Sequence, residues 1–224
     1  MPELRTQGSV SVLDLGEDEN RFSPEWLKAV HSLLDTVEQG AEPTALVTTG
    51  GGRFYSNGLD LEWLMAHGEQ AETYLAEVNE LFARVLTLGV PTVAAINGHA
   101  FAAGAMLATA HDFRVMRADR GYFCFPEVDI SIPFTPAMSA LIQSKLTPAA
   151  AIASMTTGRR FGGSEAVELG LVDATAEAAA VVEHAAERVR GLVGKDRGTL
   201  AAIKSTMFAT ALAELRATAA KRAA

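Results

Sequence analysis

A chain of 224 residues, 49% hydrophobic and 21% charged, is long enough to bury a full core and too apolar for a disordered segment. Its net charge of −8, with no basic run longer than Arg159-Arg160 or Lys221-Arg222, excludes a sequence-independent nucleic-acid surface. The single cysteine, Cys124, excludes internal disulfides and thiolate metal cages and fits a reducing compartment; with no apolar run of about 18 residues and no apolar signal core in residues 1–7, no membrane contact and a cytoplasmic location are expected.

In chain order, residues 9–15 alternate like a half-buried strand. Ser23, Pro24 and Glu25 then read as an N-cap, a proline at the first helical position and an acidic first turn, opening a helix to about Glu38. Pro43 starts a buried strand that ends in the triple glycine 50–52. Residues 92–96 form another strand, with an amphipathic helix over about 69–88 between the two. Residues 113–116 and 121–125 complete the sheet region, and 137–145 and 148–156 are helical in pattern. From about Gly162 the chain is nearly all helix, over 163–170, 176–193 and 198–221. Strand–helix–strand order predicts an α/β fold with a largely parallel sheet, a core over 1–173 and a helical C-terminal region over 174–224.

Two segments carry the chemistry: Arg53-Phe54-Tyr55-Ser56-Asn57-Gly58-Leu59-Asp60-Leu61 and Ile96-Asn97-Gly98-His99-Ala100-Phe101-Ala102-Ala103-Gly104-Ala105-Met106. Each leaves a strand, passes through small residues and enters a helix, so each offers unpaired backbone N–H groups at a helix start. Side by side, two such turns make an oxyanion hole, which acidifies the α-protons of a bound thioester because the enolate charge collects on the oxygen the donors face. The triple glycine lacks the spacing of a dinucleotide-binding loop and reads as a plain turn. Five histidines show no metal-ligand spacing, so no metal or cofactor is expected. Cys124 sits in an aromatic strand and reads as packing. Ser56 has no G-x-S-x-G context and is expected to line the pocket rather than attack substrate. Among the carboxylates, Asp60 reads first as an N-cap and Asp112 as structural. Glu127, among Pro126, Val128, Ile130 and Ile132, has apolar surroundings that would raise its pKa, although composition alone favours an exposed loop residue.

The pattern F-x-x-N-G-x-D-L followed by A-x-x-N-G-x-A-x-A-A-G, with Pro126-Glu127 downstream, resembles the crotonase (enoyl-CoA hydratase/isomerase) superfamily from about Ser9 to about Asp173. The resemblance implies a spiral of ββα units, C-terminal helices used for trimer or hexamer contacts, and an acyl-CoA substrate, coenzyme A being part of that substrate. It makes Glu127 the acid/base and the N–H groups of Leu59 and Ala103 the oxyanion donors. Ala103 stands where many relatives have glycine, and serves if its φ is negative. Asn57, Gly58, Asp60, Gly104 and Pro126 complete the expected binding loops. Arg53, and Lys204 in a tail Ala-Ile-Lys segment, are the cations expected to meet the phosphates.

One departure decides the branch. Hydratases resembling this chain carry a second glutamate in G-G-G-C-E, and the corresponding residues here end in Met106, which can neither hold a water nor transfer a proton. A single carboxylate suits a shuttle that moves a 3-enoyl double bond to 2-trans, so the Δ3,Δ2-enoyl-CoA isomerase branch is the expectation. The alternatives are a hydratase or hydrolase of the same family, with Asp129 or another group helping, and an acyl-CoA-binding protein without turnover.

Overall fold

The structure is a computed structural model that describes residues 1–42 and 44–222; the predicted strand start at Pro43 lies outside the described residues. The chain opens with an antiparallel hairpin, β1 (Glu3–Gln7) and β2 (Val10–Asp14), in which Gln7 faces Val10. β1 escapes the sequence reading because its residues are mostly exposed and carry no apolar alternation. A short β3 (Arg21–Phe22) leads to α1 (Pro24–Gln39), which starts as predicted: the Ser23 hydroxyl accepts from the Trp26 N–H, and Pro24 opens the first turn.

The next passes repeat one order, a strand in a large sheet, a strand in a small one, then helix. They run β4 (Ala45–Thr49), β5 (Phe54–Ser56), β6 (Gly58–Leu59), α2 (Leu61–Ala66) and α3 (Ala71–Thr87), then β7 (Thr92–Ile96), β8 (His99–Phe101) and α4 (Ala103–Ala110). The last pass is β9 (Phe113–Arg117), β10 (Phe123–Cys124), α5 (Pro136–Lys145), α6 (Pro148–Met155) and α7 (Gly163–Glu168). β11 (Ala174–Ala176), α8 (Val181–Arg190), α9 (Arg197–Met207) and α10 (Ala209–Arg222) follow. The large sheet has the order β1-β2-β4-β7-β9-β11, parallel except for its first pair. The small sheets are β10-β8-β5 and β3-β6, both parallel.

Strand alternation sorts the core into two layers. Leu46, Ala94, Ile96 and Met116 face the main core with α1, α3, α4 and α5, whereas Ala45, Val47, Val93, Ala95 and Val115 face Val181, Ala185, Ala186 and Val189 of α8. The expected boundary after Asp173 therefore cuts through the sheet: β11 pairs with β9, and α8 covers one whole face. The predicted helix over 198–221 is two helices, turning at Phe208 so that Ala211 and Leu215 of α10 bury themselves where α10 packs on α3 and α5.

One polar chain crosses the main core. The His111 Nδ1–H donates to the Leu107 carbonyl (2.8 Å), leaving Nε2 to accept from the Thr48 hydroxyl (2.9 Å), which accepts in turn from the Tyr55 hydroxyl (2.7 Å). Full burial pushes the His111 pKa down to about 3 and the Tyr55 phenol up. An unfolded chain binds a proton on this histidine below about pH 6.5 while the folded one does not, so its contribution to stability is lost as pH falls. Comparing urea unfolding of the parent with His111→Gln should show the parent losing ground at roughly 1.4 kcal/mol per pH unit between about pH 6 and 4.

Candidate active site

The two glycine-containing turns do meet. Gly58 has φ +83°, and a Cβ built on it would lie 2.8 Å from the Ala103 nitrogen and 3.0 Å from the Phe101 carbonyl, so only glycine lets the turns approach this closely. A Cβ on Gly104 would likewise run into the Ser56 carbonyl oxygen. Asn97 ties the triple-glycine turn to β7, its Oδ1 accepting from the Gly50 N–H (2.9 Å) and its Nδ2 donating to the Gly52 carbonyl (2.9 Å).

Ala103 is the first residue of α4, and no side chain caps this helix, which leaves the N–H groups of its first turn without that partner. Ala103 is not among the positive-φ residues, so the condition set for it is met; the positive φ falls one residue earlier, at Ala102 (φ +48°, ψ −124°). Alanine there stores about 1–3 kcal/mol of backbone strain. It keeps its place because its N–H donates to the Cys124 carbonyl (3.0 Å) and its own carbonyl accepts from the Met106 N–H (3.0 Å). Ala102→Gly should relieve part of that strain, raising Tm by about 2–4 °C in a thermal melt while leaving activity intact.

Beside these turns lies a cavity of about 440 Å³. Leu59, Ala103, Met106, Pro126, Glu127 and Asn57 line it, together with Phe101, Ile130, Ile132 and Met138. Glu127 follows β10 in a tight turn, where the Asp129 and Ile130 N–H groups both bond the Pro126 carbonyl. Its side chain is 6% exposed and its Oε2 has no hydrogen-bond partner, and burial pushes its pKa up to about 7. A second carboxylate on the wall, Glu62, is 82% exposed at the rim and pairs with Arg21 at 3.3 Å. Asp129 is exposed and not on the wall, so Glu127 is the one buried carboxylate among the described residues lining the cavity.

Several expected residues lie elsewhere. Ser56 is wholly buried beneath the turn, donating to the Asn20 carbonyl (2.7 Å) and accepting from the Gly58 N–H (3.0 Å). It shapes the loop without touching the cavity, as do Gly58 and Gly104. Asp60 caps α2 through the Trp63 N–H (3.1 Å). Lys204 is 4% exposed and committed to the Asp112 carboxylate (2.6 Å) and the Val90 carbonyl (3.0 Å), a buried internal pair with no reach to a phosphate. Trp63 lines a different cavity and Met65 is 79% exposed, so α2 meets this one through its first turn alone, at Leu61 and Glu62.

Arg53 is exposed, its guanidinium 5.4 Å from the Phe54 ring centre, and does not line the wall. Two other arginines do: Arg21 at the rim and Arg160, whose guanidinium sits 5.6 Å from the Phe101 ring centre. The reading of the sequence passed over both, because neither belongs to a glycine loop. The adjacent Arg159-Arg160 pair was their one visible signal.

Among the described residues no three His, Cys, Asp or Glu side chains converge as metal ligands, and no helix is long and apolar enough to cross a membrane. Residues 5–224 match the family described as Enoyl-CoA hydratase/isomerase. The chain is 39% identical over 204 residues to enoyl-CoA delta isomerase 3 of Arabidopsis thaliana, covering 87% of this chain and 86% of that one. It is 40% identical over 185 residues to the peroxisomal enoyl-CoA delta isomerase 2 of the same plant, covering 79% and 77%. The fold superposes on human mitochondrial delta3-delta2-enoyl-CoA isomerase with a TM-score of 0.86 at 22% identity, over 97% of this chain and 88% of that one, a likeness of fold.

Proposed function

The chain belongs to the enoyl-CoA hydratase/isomerase (crotonase) family, and within it we propose that it is a Δ3,Δ2-enoyl-CoA isomerase working through one carboxylate. The observation that carries this reading is the buried, unpartnered carboxylate of Glu127 in a cavity it shares with Met106. With a pKa near 7, such a group can both take and return a proton at neutral pH.

The thioester oxygen of a 3-enoyl-CoA accepts from the N–H groups of Leu59 and Ala103. Ionised Glu127 removes a proton from C2, the dienolate charge gathers on the oxygen, and the same carboxyl returns the proton to C4, giving the conjugated 2-trans thioester. Each oxyanion donor is worth about 3 kcal/mol of barrier. Met106 and the apolar wall keep water from the C3 position, which favours isomerisation over hydration. The wall's Arg21 and Arg160, with exposed Arg53 nearby, are the cations the phosphates of coenzyme A would meet. Assembly into a trimer or hexamer belongs to the same reading and rests on the family resemblance; light scattering would give three or six chains per particle.

Incubation of the protein with a 3-enoyl-CoA in D₂O, followed by conjugated-thioester absorbance and product mass, tests the reaction. Conjugation without gain of water is expected, and water addition to a 2-enoyl-CoA at comparable rate would overturn it. Because the free enzyme's base must be ionised, kcat/KM should fall tenfold per pH unit well below about pH 7 and level off above it.

A further inference from the structure

A second cavity, of about 510 Å³, lies at the other end of the large sheet, where β7 and β9 begin, and is closed by the turn of α5 and the face of α9. Its wall is mostly apolar: Pro91, Phe113, Leu192, Leu200, Ile203 and Met207. Ile203 is 51% and Met207 67% exposed at its edge, an unusual display for side chains of this size. Its polar groups are Asp112, Lys145, Lys195, Asp196, Thr199 and Lys204, and they are unequally satisfied. Lys204 and Asp112 satisfy each other at 2.6 Å. Lys145, half-buried in the last turn of α5, has no carboxylate within 4 Å among the described residues; its ammonium lies 4.9 Å from the centre of the Phe208 ring, with the charges of Asp112, Lys204 and Arg114 farther off.

We propose that this cavity is a binding site for a monoanion with an apolar tail, a medium-chain carboxylate, whose head pairs with Lys145 while its chain lies along Phe113, Leu200 and Ile203. The site is separate from the catalytic cavity and does not depend on the reading of the reaction. A monoanion fits better than a phosphate ester because Asp112 and Asp196 on the wall offset two of its three lysines, Lys145, Lys195 and Lys204, and leave one positive charge to meet. A tail is required because a bare anion would leave the apolar wall uncovered, whereas a desolvated cation beside apolar surface is the arrangement that holds one amphipathic ligand in place. Burial, with the nearby Arg114 and Lys204 charges, holds the Lys145 pKa down, to about 8, so an anion seated beside it would stabilise an ammonium that the fold itself disfavours.

Titration of the full chain with octanoate by calorimetry at pH 7 tests this. One site is expected, tenfold weaker or more in Lys145→Met, retained in Lys145→Arg, and lost in Ile203→Glu, an exposed position where misfolding is not at issue. Octanol should bind at least tenfold more weakly than octanoate, and enoyl-CoA turnover should be unchanged in the Lys145 and Ile203 variants. Octanoate binding that survives both Lys145→Met and Ile203→Glu, or that is displaced by saturating acyl-CoA, would overturn the proposal.

Discussion

Replacing Glu127 by glutamine should abolish isomerisation, by at least about 10³-fold, and at the same time make the protein more stable. The two effects have one cause. Glutamine keeps the shape and loses the proton shuttle, so the chemical step fails, while acyl-CoA binding, which depends on the turns and the apolar wall, stays within a few-fold. For stability, the folded state holds the Glu127 proton up to about pH 7, whereas the unfolded chain releases it near 4.5. Stability is therefore lost as pH rises through that window, and at pH 8 the native fold carries a buried charge costing up to about 3 kcal/mol. Glu127→Gln removes that cost, so its urea midpoint should exceed the parent's at pH 8 and converge with it at pH 4. A variant that is both inert and less stable at pH 8 would point to a structural role instead.

Gly58→Ala should disable the site with a single methyl. The added Cβ falls 2.8 Å from the Ala103 nitrogen, at a residue whose φ of +83° already disfavours any side chain. The left-handed backbone costs about 1–2 kcal/mol and overpacking about 1–3 more. Activity should fall by about 100-fold or more, because a donor displaced by about 1 Å no longer faces the developing charge. Gly68→Ala, where nothing lies within 4 Å and φ is ordinary, is the matched control and should leave both melting and turnover unchanged.

The legible parts of the sequence were those where a local signal and the tertiary role coincide. Ser23-Pro24 opens α1 because capping is a matter of three neighbouring residues, and the parallel strands show because both their faces are apolar. Glu127 was legible for a different reason: its apolar neighbours pointed to a raised pKa, but only the family resemblance outweighed an exposed loop position. Ser56 and Lys204 were misplaced because a serine in a loop and a lysine on a helix look alike whether they meet ligand or protein. What decided them were the Asn20 carbonyl and Asp112, 36 and 92 residues away. Arg160 was missed for the converse reason, reaching the cavity from a loop with no motif of its own. β1 and β11 have too few buried residues to register, and only their partners make them strands.

The pairing of β11 with β9 bears on how the chain is made. Until residues 174–176 emerge, the strand that follows the α4 turn is an open parallel edge with an apolar face, and α8 arrives later still to cover it. The sheet that positions the oxyanion turns is thus completed only by the last quarter of the polypeptide. During synthesis the long-separated contacts are the slow ones, and a ribosome stalled before that point would hold a nascent sheet ready to pair with another chain.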